Sequence, residues 1–201
     1  MPRQPLTGEP LDSVDDITQR PALAVKIDNH PLARPNHTGL AVADMVFEEL
    51  VEGSLTRFAA VFHTSDADPV GPIRSGRSQD VALLSSFNAP LFAWSGGNPG
   101  VTALVSASFL TDLNWQKFPN SYSRGPGRVP HNLYSTTDRL WSLTPDDHPG
   151  PPPQQFAYLS EGEEFGGEPA TDVEMSIGSI DIEWDWNDET QSFDRRQEGG
   201  P

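Results

Sequence analysis

Short apolar runs separated by Pro- and Gly-rich breaks make up most of the first 145 residues. The densest pair lies between Met45 and His63, where two runs rich in aromatic and β-branched residues meet at Glu52-Gly53-Ser54. A glycine where the chain must reverse predicts a β-hairpin. With a three-residue loop, Glu49 falls opposite Arg57 and Phe47 opposite Ala59 on one face. Glu48, Leu50 and Glu52 then share the other face with Thr56, Phe58 and Phe62. Residues 22–28 form a second strand, six apolar or aliphatic-stemmed positions closed by Asp28 and stopped by Asn29-His30-Pro31. Residues 89–94 form another, ending in Ser95, Gly96, Gly97 and Asn98.

Helical spacing follows Ser78, which reads as an N-cap, and recurs through Val101, Leu104 and Val105 and again from Thr137. Thr38 reads as the cap of a short helix reaching Asp44. The pattern predicts an α/β fold: a mixed sheet with a central β-hairpin and flanking helices, and strands near 22–28, 45–52, 55–63 and 89–94. Residues 111–129 read as a long loop over a site. The expected divisions are a flexible leader over 1–20, an α/β domain over 21–145 and a Pro-rich linker over 146–155. An incomplete β-rich unit over 156–201 follows, with alternating strands near 172–177 and 180–186 and a third from Ser192.

Charge narrows the function. The net charge is −16, and residues 151–201 hold 13 acids against 2 bases. Such a field argues against nucleic-acid binding, which needs a basic footprint. There are no cysteines, which excludes disulfides, thiolate metal sites and a Cys nucleophile. No run of 18 apolar residues offers a membrane span, and no signal peptide is read from Met1 onward.

Against that acidic background, the stretch from Gly71 to Arg77 places Arg74 and Arg77 among small residues just before a helical pattern. Forked guanidinium donors and a close-approaching backbone suit phosphate or carboxylate. No Walker sequence is present. The glycine junction of Ser95, Gly96, Gly97 and Asn98 lies past a strand end, where α/β folds gather ligand-binding polar groups. Ser95 has no Gly-x-Ser-x-Gly context and makes a poor nucleophile. Candidate ligand-binding residues are therefore Arg57, Arg74, Arg77, Ser95, Gly96, Gly97, Asn98 and Asn132. Asp28, Glu49 and His131 are the catalytic candidates, with Glu48 as a further base. Each has a plainer reading: Asp28 and Asn29 capping a turn, or the arginines pairing with Asp28, Glu48 and Glu49 to hold the fold. A divalent-metal variant on Asp28, His30 and a glutamate lacks any supporting spacing, so neither a metal nor a cofactor is expected.

Five motifs occur in order: the run from Val25 to Pro31, the run from Ala43 to Gly53 with Thr56-Arg57-Phe58, Gly71 to Arg77, Ser95 to Asn98, and Pro130 to Tyr134. Together they resemble the YerB-like putative lipoprotein family, bacterial proteins known mainly as a domain of unknown function. The resemblance covers about residues 20–145, and residues 156–201 are similar to the opening of that family's C-terminal domain. It implies an exported, lipid-anchored protein at the cell envelope, although the lipobox cysteine of such proteins does not occur in this sequence. It carries no catalytic residues. The expectation is a binding module for an anionic or glycan ligand of the envelope. The alternative is a hydrolase or transferase on a phosphorylated or glycan wall substrate, with a carboxylate base and an arginine clamp.

Overall fold

The structure, a computed structural model, describes residues 1–160 and 162–197. Five strands form the main sheet: β1 (Leu23–Asp28), β2 (Met45–Val51), β3 (Leu55–Phe62), β4 (Leu91–Trp94) and β5 (Thr111–Asn114). Their order is β2-β3-β1-β4-β5. β1 runs antiparallel to β3 and parallel to β4, and β4 is parallel to β5, so the sheet is mixed. β1 is central and buried at every position. That explains its nearly unbroken apolar run, because a strand covered on both faces has no solvent side to alternate with.

One face packs Leu23, Val25, Ile27, Phe58 and Phe62 against Leu133 and Leu140, the latter on α3 (Thr137–Trp141). The other packs Ala24, Val61, Phe92 and Trp94 against Leu84 and Phe87, just past α1 (Gln79–Leu83), and Val105 on α2 (Pro99–Ser106). Full burial of each large apolar side chain contributes about 1.5–3 kcal/mol. The first twenty residues lie against this core: Leu6 joins the second cluster, and Arg20 pairs with Asp66 and stacks 3.5 Å above the Trp141 ring.

The hairpin has the predicted three-residue loop and register, with Glu49 opposite Arg57 and Phe47 opposite Ala59. Gly53 and Ser54 turn the chain at positive φ. Elsewhere local signals mislead. Residues 111–129 are not all loop, since β5 pairs with β4 although its four residues are largely polar; backbone bonding from β4 supplies what side-chain pattern does not. α1 spans only five residues and Ser78 makes no side-chain cap. Instead Asp80 turns back and accepts the Arg77 N–H at 2.6 Å. The short turn of Leu40–Val42 starts from left-handed Gly39, not from Thr38. On α3 the capping hydroxyl belongs to Thr136, while Thr137 is buried and accepts from the Ala67 N–H.

A two-stranded ribbon of β6 (Ser123–Arg124) and β7 (Leu133–Tyr134) carries the Pro130–Tyr134 motif to the edge of the domain. The last unit is an antiparallel sheet of β8 (Asp172–Ile177), β9 (Ile180–Asn187) and β10 (Ser192–Gln197), ordered β10-β9-β8. It docks on the hairpin through Arg195, which grips Glu48 with Nε at 3.1 Å and Nη2 at 2.7 and 2.8 Å. No helix among the described residues is long and apolar enough to cross a membrane.

Candidate functional site

β1 ends where its neighbours separate, and the segment of residues 71–77 enters that gap. Asp28 N–H donates to Pro72 O at 2.9 Å, Arg74 N–H to Lys26 O at 2.8 Å, and Ser95 N–H to Arg74 O at 3.0 Å. Gly76 N–H donates to Gly96 O at 3.1 Å, so the arginine loop is laced between β1 and the glycine junction after β4. Gly76 is required by contact, because a Cβ there would stand 2.8 Å from the Trp94 ring. Gly96 is required by backbone, with φ at 103°.

Asp28 is the hub of this edge and is only 2% exposed. Its Oδ2 accepts from His131 Nδ1 at 2.6 Å and lies 3.2 Å from Arg74 Nε. Its Oδ1 accepts the His30 N–H at 3.2 Å, and its backbone carbonyl receives His37 Nε2 at 2.6 Å. Burial pushes the His37 pKa below its ordinary value, which keeps that ring neutral and fits it to this single donation. The His30 ring stacks on His131 with centroids 4.4 Å apart and planes 25° apart.

Arg57 lies opposite Asp28 across the β1–β3 pair and donates Nη1 to Ser75 O at 2.7 Å. Burial first, then the fields of Arg77 and Arg74, lower its pKa to about 10, with Asp28 and Glu52 opposing. Arg77 reaches outward to the exposed Glu52, with Nε at 2.7 Å, and lowers the pKa of that carboxyl by hydrogen bonding. Arg74 and His131 therefore meet on Asp28, with Arg57 facing it across the strand pair, whereas Arg77 stands near Arg57 and turns outward to Glu52.

Glu49 does not join them. It lies opposite Arg57 in register, but its carboxylate bonds to Lys26 Nζ, which also donates to Asp80 at 2.7 Å. Lys26 and Asp80 are fully buried. Desolvation raises the Glu49 pKa to about 7, because one lysine serves two carboxylates in a dry setting and Glu49 Oε2 has no partner. This triad was missed from the sequence, although a lysine inside an otherwise apolar strand was its signal, since lysine is almost never fully buried unless paired.

The remaining candidates hold the frame. Asn98 caps α2 by accepting the Val101 N–H at 2.9 Å. Asn132 accepts from Arg124 Nη1 at 2.9 Å and donates to Gly127 O at 3.2 Å, fastening the loop before β7. Ser95 and Gly96 contribute backbone atoms to the lacing, and Gly97 packs against Val101 and Trp94. Glu48 belongs to a separate cluster on the other face. There Thr56 donates to it at 2.6 Å, and Asn29 Nδ2 donates to Thr56 at 2.7 Å and to Gln197 at 2.8 Å. A cavity of about 260 Å³ opens beside that cluster, lined by Asn29, His37, Phe58 and Arg195 among others. That cavity opens on the face opposite Arg57, Arg74 and Arg77, because successive residues such as Asp28 and Asn29 point to opposite faces, and Arg34 and Arg195 line it instead. Among the described residues, no group of three or more His, Asp or Glu is arranged to hold a metal ion.

Residues 6–149 match the model of the protein of unknown function (DUF3048) N-terminal domain. Over 140 residues the chain is 36% identical to "Putative lipoprotein YerB" of Bacillus subtilis (strain 168), covering 69% of this chain and 41% of that protein. The chain thus spans about two fifths of that relative's length. The crystal structure of the YerB protein from Bacillus subtilis matches all of this chain and 68% of its own, at a TM-score of 0.78 and 26% identity. The chain belongs to the DUF3048 family, in which its first domain is the N-terminal one.

Proposed function

We propose that this protein is a binding module of the bacterial cell envelope for an anionic ligand, a phosphate or carboxylate borne on a glycan or wall polymer. The observation that carries the reading is the gathering of three guanidinium groups at one edge, Arg74 on the buried Asp28, Arg57 across the strand pair from it and Arg77 near Arg57, in a chain of net charge −16. Asp28 is shared between Arg74 and His131, and Arg57 has a backbone carbonyl as its bonded partner. The cluster thus holds more positive charge than the carboxylates on its own edge offset, and an incoming anion would relieve that excess. The name of the Bacillus relative supports an extracytoplasmic, membrane-anchored setting for such a ligand. Nucleic acid is disfavoured by the overall negative field.

Calorimetric titration of the whole chain with inorganic phosphate and with glucuronate tests this. Saturable binding of at least one, weakened at high salt, is expected, and its loss in Arg77→Ala with an unchanged fold locates the site. Failure of the wild type to bind either anion would overturn the reading.

A further inference from the structure

Resting on the anion-binding reading, we infer that the same edge is a phosphodiester-cleaving site in which His131 transfers the proton and Asp28 positions it. The inference starts from hydrogen bonds that fix both histidine tautomers. His131 Nδ1 donates to the Asp28 carboxylate at 2.6 Å, so in the neutral ring the lone pair is on Nε2. Leu32 N–H donates to His30 Nδ1 at 3.1 Å, so the neutral His30 ring carries its hydrogen on Nε2. The two rings are stacked, one presenting an acceptor and the other a donor. Neither Nε2 has a protein partner among the described residues, and neither belongs to the buried atoms left without one.

The Asp28–His131 pair has the logic of a carboxylate-oriented general base. Asp28 cannot swing away, because every polar atom it has is engaged: N–H, C=O and both carboxylate oxygens. It therefore holds the imidazole in one tautomer and one direction. Arg74 sits on the same Asp28 oxygen as His131, which places a guanidinium directly beside the base.

The reaction that uses this arrangement is hydrolysis of a phosphodiester. His131 Nε2 takes a proton from water as the water oxygen bonds to phosphorus. The bond from phosphorus to the leaving alkoxide breaks, and the proton held on Nε2 returns to that oxygen through solvent. The products are a monoester and an alcohol. Arg74, held on the same Asp28 oxygen as His131, offsets charge on the phosphoryl oxygens, and His30 Nε2–H donates to one of them. Guanidinium forks match the paired oxygens of a phosphate, which is why a diester is favoured over a carboxylic ester.

The test pairs turnover of bis(p-nitrophenyl) phosphate with calorimetric binding of inorganic phosphate, both on the whole chain. The wild type should release p-nitrophenol, with kcat/KM rising with pH and then levelling. His131→Gln should lower kcat by about 10²- to 10⁴-fold while phosphate affinity and melting temperature stay unchanged. Asp28→Asn should lower kcat and distort the pH profile, and rescue by Asp28→Glu would separate positioning from folding. A wild type that binds phosphate without cleaving the diester overturns this inference and leaves the binding module standing. Equal turnover in His131→Gln also overturns it. Absence of both binding and turnover removes the underlying reading as well.

Discussion

Two ionic clusters lie on one face of the same sheet, two residues apart along β1, and have opposite characters. Lys26 faces inward with Glu49 and Asp80, and its ammonium is spent on them. Asp28, one alternation further, holds His131 and Arg74 at a partly open rim, where their side chains are 12% and 23% exposed. The same residue chemistry is structural where the strand is covered and presentable where the strand ends. The partners decide: Asp28 is as buried as Glu49, but His131 and Arg74 reach the rim, while Lys26 and Asp80 are wholly covered and bond only within their own cluster.

The largest effect should come from the covered cluster. Lys26→Met leaves Glu49 and Asp80 buried without their cation and should lower stability by about 3–5 kcal/mol, read from urea unfolding. A fold that tolerates it would show that the two clusters do not differ in kind. Next is the clamp to the last sheet. Arg195→Ala removes the bidentate grip on Glu48 and should reduce stability by about 1.5–3 kcal/mol, with faster amide exchange confined to β8, β9 and β10.

A smaller, pH-dependent effect belongs to the covered cluster. Glu49 binds its proton more tightly in the fold than in the unfolded chain, with its pKa raised from 4.5 to about 7. The folded state therefore holds more protons in that interval, and stability falls as pH rises through it. Glu49→Gln should flatten that slope, whereas the slope should survive His131→Gln. The smallest effect on stability is expected at the rim. Arg77→Ala breaks a contact to a largely exposed Glu52 and should cost roughly 0–1 kcal/mol in unfolding experiments. It should nevertheless remove anion binding.

Much of the frame was legible. The hairpin register followed from alternation and one glycine, and β1 from its unbroken apolar run. Arg74, Arg77 and His131 stand out by residue type beside small or strand-end residues, and the fold brings Arg74 and His131 to Asp28 while Arg77 pairs with Glu52. Other features carried no local signal. β5 is polar and exists because β4 offers it a hydrogen-bonding edge. Asp80 sits in a short helix 54 positions from Lys26, and Arg195 lies 147 positions from Glu48.

The sequence alone set the strands, their facing residues and the family, because period, turn chemistry and motif order are local properties of the chain. Tertiary structure alone decided which acid is buried with a lysine and which is held against a histidine. Glu49 and Asp28 look alike as letters. Both lie in register with Arg57, on either side of it, but their bonded partners differ, and the free energy of a charge depends on what surrounds it.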